Sequence, residues 1–347
     1  MFFFKPLGRR PSGERAALIQ RSSNFKNGEF QNLSATSTLT QGSFWRTLFK
    51  FFNKPKNTVP PTALPSVKTD LKSLSEVNPV NPLIVWFGHS SYFIHIDGMN
   101  ILVDPVFSGH ASPFSFSVKS FPGTDIYSVD DLPLIDMLIL THDHYDHLDY
   151  STLPLLQPKV KAVYTALGVG AHLEYWGFPK EMITEFDWWD SKDIGEGVRL
   201  TAAPARHFSG RTFKRGQTLW SSFILKVANY NIYIGADSGY DTHFIDIGKR
   251  FGPFDIAFLE TGQYNDDWPL IHMTPEEAVQ AAIDLRARWM LPVHWGKFAL
   301  AFHPWSEPAE RVRKKAAALG VSVTTPRIGE PVVLNESYPN AEWWKDV

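Results

Sequence analysis

From about residue 82 onward the chain alternates short apolar runs with polar punctuation. Residues 83–87, 91–96 and 100–104 carry the β-branched and aromatic bias of strands, and Asp97-Gly98 supplies a hairpin turn between the second and third. Residues 136–140 and 160–165 predict two buried strands, and 167–176 a short helix stopped by Gly177. Further on, 198–204, 230–235, 255–260 and 290–293 read as strands. Between them Thr274-Pro275-Glu276-Glu277 opens a helix, with Thr at the N-cap, Pro at the first turn and Glu closing a capping box. Its apolar stripe is Ala278, Ala281, Ala282 and Leu285. Ser306 is expected to cap a last helix running to Gly320. Groups of strands separated by helices predict two packed sheets with helices outside.

Four of these strands end in a residue able to hold a metal, at His142, His207, Asp237 and His294. The densest point is Leu138-Ile139-Leu140-Thr141-His142-Asp143-His144-Tyr145-Asp146-His147, where an apolar run meets a His-x-His-x-Asp-His cluster. Imidazoles and carboxylates are costly to bury unpaired. A metal ion gives them a partner, since neutral imidazole nitrogen and carboxylate oxygen are ligands that zinc accepts. Strand ends along one sheet edge are where α/β architectures place their sites.

Composition narrows the chemistry. The chain has no Cys, which removes disulfides, thiolate nucleophiles and Cys-ligated zinc together, so a metal must be held by His, Asp or Glu. The hydrophobic fraction of 44% is ample for a large core, and the net charge of -2 gives no global reason to expect a nucleic-acid partner. The apolar start, Met1-Phe2-Phe3-Phe4, is too short for a secretory segment, and no window is long enough to cross a membrane. A cytoplasmic protein is the expectation.

Residues 1–80 differ from the rest and are read as an N-terminal extension and linker, with the globular domain at 81–347. Between Met1 and Pro60 ten Lys or Arg face only Glu14 and Glu29. Residues 43–54, with Trp45, Phe49 and Phe51 among Arg46, Lys50 and Lys54, suit either an interfacial helix on an anionic membrane face or a helix docked on the core. The Pro-rich run 57–65 reads as the linker.

The order His142-x-His144-x-Asp146-His147, then His207, Asp237 and His294, resembles the two-metal hydrolase branch of the metallo-β-lactamase superfamily. Gly88-His89-Ser90-Ser91, Asp104-Pro105-Val106-Phe107-Ser108, Pro204-Ala205-Arg206-His207-Phe208-Ser209-Gly210-Arg211, Gly235-Ala236-Asp237-Ser238-Gly239 and His272-Met273-Thr274-Pro275 resemble the N-acylphosphatidylethanolamine phospholipase D group and its bacterial relatives. So does 24–32 near the N-terminus. The resemblance implies an αββα four-layer sandwich and two zinc ions, with manganese or iron also compatible with the ligand types. It implies His142, His144 and His207 on one metal, Asp146, His147 and His294 on the second, and Asp237 bridging. Paired metals would lower the pKa of a shared water and stabilise an in-line displacement. Asp146 is read as a second-metal ligand or as a general base. His272 is read as a substrate contact that protonates the leaving alcohol or holds a phosphate oxygen, against a plain helix-start hydrogen bond. His89 is placed beside the metals or in a structural role; His243, His303, Arg206 and Arg211 are possible phosphate contacts; and His95, His110 and His172 are ordinary. The substrate implied is N-acylphosphatidylethanolamine or a similar amphiphile. The alternatives are a lactonase-type hydrolase of a small soluble substrate and a non-catalytic membrane-associated protein.

Overall fold

The computed structural model describes residues 5–53, 55–77 and 80–347; Met1 to Phe4 of the apolar start and Lys54 at the end of the aromatic segment lie outside the described residues. The chain enters through α1 (Gly13–Arg21), a small hairpin of β1 (Phe25–Lys26) and β2 (Glu29–Phe30), α2 (Phe44–Phe52) and α3 (Leu71–Ser75). Two mixed sheets follow. The first contains β3 (Leu83–Trp86), β4 (Tyr92–Ile96), β5 (Met99–Val103), β6 (Ile135–Leu140), β7 (Val160–Ala166) and β8 (Ile183–Phe186), with β15 (Pro331–Val333) added beside β3. The second runs in the order β14-β13-β12-β11-β10-β9, from β9 (Ser191–Gly195), β10 (Val198–Ala203), β11 (Ser222–Val227), β12 (Tyr230–Ile234), β13 (Ile256–Glu260) and β14 (Met290–Val293).

Both faces of the central strands are apolar, and the period of two divides their side chains between two cores. Ile84, Trp86, Ile94, Ile101, Val103 and Ile139 point inward to meet Leu200, Phe223, Leu225, Ile232 and Phe258 of the second sheet. Their neighbours Val85, Phe93, Leu102, Leu138 and Leu140 point outward, under α1, α4 (Leu153–Leu156) and α5 (Gly170–Tyr175). The far face of the second sheet is covered by α6 (His243–Phe251), α7 (Pro275–Asp284) and α8 (Glu307–Leu319), through Phe244, Ile247, Ala278, Ala282 and Val312. This is the expected αββα order of four layers. Asp97 and Gly98 take φ of 49° and 72°, the paired left-handed turn that a two-residue hairpin requires.

Topology puts the chemistry on one edge. Strands β3, β5 and β6 run in the same direction, because β3–β4 and β4–β5 are antiparallel and β5–β6 is parallel. In the second sheet β10 and β12 are both antiparallel to β11, and β12, β13 and β14 are parallel. The C-terminal ends of these seven strands lead to His89, Asp104, His142, His207, Asp237, Glu260 and His294.

Several elements are absent from the pattern-based reading. The edge strand β9 is almost wholly exposed and polar, so it carries no apolar alternation, while β11 is disguised by its Ser221-Ser222 start. The predicted capping box at α7 is present, with Thr274 N–H donating to Glu277 Oε2 at 2.8 Å. At α8 the N-cap Ser306 has helical backbone and makes no cap bond; its hydroxyl donates to Glu310 Oε1 at 2.8 Å.

The edge is tightly packed at its backbone. A Cβ placed on Gly262 would lie 2.2 Å from the carbonyl oxygen of His294. Gly262→Ala is therefore expected to push the His294 turn and cost about 1–3 kcal/mol, read as a lower thermal midpoint. An unchanged midpoint would contradict this packing.

Candidate metal centre

Four of the five candidate ligand histidines have one ring nitrogen fixed by a hydrogen-bond partner outside the cluster, which directs the other into the site. His147 Nδ1 donates to Asp104 Oδ2 at 2.7 Å. Thr141 Oγ1 donates to the same Asp104 oxygen at 2.6 Å and lies 3.0 Å from His142 Nδ1, so one buried carboxylate orients two imidazoles. His207 Nδ1 donates to the Ile271 carbonyl at 2.8 Å, and His294 Nδ1 lies 3.0 Å from Ser90 Oγ.

The inward atoms form two adjoining groups around Asp237. His142 Nε2 is 3.0 Å from His144 Nδ1, which is 3.2 Å from His207 Nε2, and both Nε2 atoms are 3.7 Å from Asp237 Oδ2. On the other side His147 Nε2 is 3.2 Å from Asp237 Oδ2 and 3.6 Å from Asp146 Oδ2, and His294 Nε2 is 4.0 Å from that Asp146 oxygen. Within each set, His142, His144, His207, Asp237 and His89, Asp146, His147, His294, the ligand atoms lie within 4.8 Å of one another. His89 joins the second set by holding Asp146 Oδ2 at 2.9 Å.

The donor set fits a cation. His147 Nε2, His294 Nε2 and Asp237 Oδ1 are buried and have no hydrogen-bond partner; Asp237 Oδ1 sits 3.1 Å from His294 Nδ1 without hydrogen-bond geometry. Buried polar atoms are otherwise nearly always bonded. Burial, reinforced by the neighbouring imidazoles, drives His142 and His294 well below the ordinary histidine range, so they offer lone pairs at neutral pH. Burial works against the charge of Asp146, but His147 and His89 hold its carboxyl far below the usual range.

Beside this lies a second dyad. His272 Nδ1 donates to Glu260 Oε2 at 2.6 Å, while Glu260 Oε1 accepts the backbone N–H groups of Ser238 and Met273 at 2.9 Å each. Burial opposes charge on His272, yet Glu260 raises it to about 9; burial likewise lifts Glu260, to about 7. The dyad and the metal groups open on a cavity of about 280 Å³, whose remaining wall includes Thr38, Leu39, Phe208, Arg215, Trp268 and Leu300.

All eight predicted site residues, His142, His144, Asp146, His147, His207, Asp237, His294 and His272, thus converge. The arginines go elsewhere: Arg211 donates to the carbonyls of Pro6, Asp143 and Leu148, and Arg206 to those of Ala35 and Tyr240. His243 packs on Ser238, and His303 accepts from the Gln263 N–H. His95 and His110 bond to Asn100 and to the Ser108 carbonyl. His172, read as ordinary, braces Asp143 of the cluster at 3.2 Å. Of two tryptophans close to the strand-end edge, Trp268 lines the cavity, whereas Trp295 is core, stacked between Trp86 and Trp343. Asp104, Glu260 and Arg215 escaped the sequence reading of the site. The signal for the first two was their place at strand ends.

A family model described as a beta-lactamase superfamily domain matches residues 99–295. An uncharacterized protein of Mycobacterium tuberculosis is 37% identical over 340 residues, covering 95% of this chain and 89% of that one. The N-acyl-phosphatidylethanolamine-hydrolyzing phospholipase D 1 of Caenorhabditis elegans is 29% identical over 243 residues, 66% of this chain and 68% of that protein. Among solved structures, a metallo hydrolase from Ignicoccus hospitalis superposes with a TM-score of 0.58 at 20% identity, over 74% of this chain and 100% of the other. An isothiocyanate hydrolase from Delia radicum gut bacteria gives 0.56 at 20% identity, over 74% and 99%. These two share the fold.

Asp104→Asn should weaken metal binding about 10–100-fold, read by competition with a chromogenic chelator, because two imidazoles lose their anchor. Affinity unchanged from wild type would remove Asp104 from that role. Protons and cations compete for the same lone pairs, so metal affinity of the wild type should fall as pH falls through the imidazole range. A pH-independent affinity would argue against imidazole ligation.

Proposed function

The chain belongs to the metallo-β-lactamase superfamily and is a metal-dependent hydrolase, and from that premise we propose that it is a two-zinc phosphodiesterase of the phospholipase D type. Its substrate on this reading is N-acylphosphatidylethanolamine or a similar amphiphilic phosphodiester. The observation that carries it is a cavity where two buried His/Asp groups adjoin a proton-bearing His272–Glu260 dyad and a cation, Arg215. The likeness to phospholipases D of Caenorhabditis elegans and Saccharomyces cerevisiae supports the choice of phosphodiester.

His142, His144 and His207 would hold one cation, Asp146, His147 and His294 the other, with Asp237 between them. Bound there, two zinc ions supply a water activated at neutral pH and Lewis acidity toward the phosphoryl oxygens. The chain's own groups do the rest. Asp146 acts as a ligand, a role favoured by the His89 hydrogen bond that fixes its carboxylate. His272 stands at the cavity wall with Nδ1 tied to Glu260, which leaves Nε2 to meet the substrate. As the oxygen of water bonds to phosphorus, the bond from phosphorus to the ethanolamine oxygen breaks, and His272 gives that oxygen its proton. The products are phosphatidic acid and the N-acylethanolamine. Arg215, which also lines the cavity, offsets phosphate charge.

Purified protein should carry close to two zinc ions, and Asp237→Asn should lose both metal and turnover. His272→Gln should lower kcat about a hundred-fold or more while metal content stays the same. Long-chain phosphodiesters and lactones should be assayed in parallel. Lactone hydrolysis with inert phosphodiesters would overturn the assignment in favour of a lactonase.

A further inference from the structure

The family match begins at residue 99, yet chain that precedes it helps line the cavity. Residues 32–50 cross the catalytic edge and are fastened at both ends. At the first end the Asn32 side chain forms a pair of bonds with the backbone of His207: its Nδ2 donates to the carbonyl at 2.7 Å, and its Oδ1 accepts the N–H at 3.0 Å. Trp220 Nε1 donates to the same Oδ1 at 3.1 Å. At the second end stands Asp267, whose side chain is wholly buried. Its carboxylate takes hydrogen bonds from Arg46, from Thr47 Oγ1 at 3.0 Å and from Lys50 Nζ at 3.2 Å, all on α2. Thr40 adds a backbone bond to the Asp267 carbonyl at 2.7 Å. Between the fastenings Thr38 and Leu39 reach the cavity, and Thr38 Oγ1 lies 3.4 Å from Arg215 Nη1.

We propose that residues 32–50 are a strap that sets substrate specificity, with Leu39 as the apolar contact for the acyl-bearing part of an amphiphile and Asp267 as the clasp that holds it in place. The inference rests on the phosphodiester reading above. Two features favour it over a passive cover. Leu39 lines the same cavity as the apolar Trp268 and Leu300, which the metal groups also line. Among the described residues, every side-chain hydrogen bond to the Asp267 carboxylate comes from α2, so Asp267 ties that helix to the loop carrying Trp268. The clasp and Trp268 also lie in one short loop, which couples docking of the strap to the shape of the wall.

The test uses zinc-loaded, full-length protein and two anionic probes, methyl phosphate and octyl phosphate, with dissociation constants measured by calorimetry. Wild type should bind octyl phosphate at least about ten-fold more tightly than methyl phosphate. Leu39→Ala should erase about ten-fold of that preference and leave methyl phosphate within two-fold, since one lost apolar contact discriminates by about that much. Asp267→Asn, which unfastens α2 without touching the cavity, should reduce the preference in the same direction. If wild type shows the preference and neither variant alters it, or if both probes weaken equally, the strap is only structural support and the proposal falls. If wild type binds neither probe, or binds both alike, the strap assignment falls, whereas the phosphodiester reading falls separately if a long-chain phosphodiester is not turned over.

Discussion

The arrangement depends on a single buried carboxylate, Asp237, lying between two clusters of imidazoles. Four histidines from three separate strand ends come within 3.1–3.7 Å of it. Asp237 favours charge on His147, but the imidazoles crowd one another and the Nε2 atoms of His147 and His294 lack a hydrogen-bond partner. The fold must therefore hold the cluster together against its own electrostatics until a cation supplies the missing charge. Two rigid sheets with an apolar layer between them do this, and they fix the strand ends more firmly than loops could. Metal binding should in turn return stability to the fold, since it removes the unsatisfied atoms that the apolar core otherwise has to support.

That burden explains the second ring of interactions. His89 and His294 both adopt left-handed backbone, with φ of 53° and 67°, and each is held by the other: the His294 N–H bonds the His89 carbonyl at 3.0 Å and the His89 N–H bonds the Trp295 carbonyl at 2.9 Å. Such conformations cost energy in non-glycine residues and persist only where surroundings over-determine them. The stacked Trp86, Trp295 and Trp343 beneath the turn provide that rigidity. These aromatic residues thus serve as the bed on which a candidate ligand rests.

What was legible in the sequence follows from distance along the chain. The cluster at 142–147 is local, and the lone His207, Asp237 and His294 each follow an apolar strand, so pattern and chemistry appear together. The two-sheet order was legible for the same reason, through strands apolar on both faces. Asp104 and Glu260 also end strands, but a lone acid at a strand end has no visible meaning until its partners His147 and His272 are placed beside it. Arg211 shows the converse. It looks like a phosphate contact in sequence and is in fact stacked 4.0 Å over Tyr145, giving its protons to main-chain carbonyls of the metal loop and of Pro6.

The N-terminal extension is where sequence patterning says least and the contacts say most. Its basic excess suited either an anionic surface or docking on the core, and among the described residues several of those cations are used internally: Arg15 pairs with Glu174 and Glu185, and Arg46 and Lys50 with Asp267. No described helix is long and apolar enough to cross a membrane. The backbone N–H of Arg9 bonds His172, which in turn braces Asp143, and the Pro6 carbonyl bonds Arg211. The extension therefore reaches the metal loop from the side opposite the cavity, while residues 32–50 reach it from the cavity side. An approach from both sides means that the geometry of the cluster and the shape of the cavity are set partly by chain outside the segment that matches the superfamily. Relatives sharing the sandwich but differing before it can keep the same metal chemistry and present a different wall to the substrate, which is how one fold comes to serve unlike substrates.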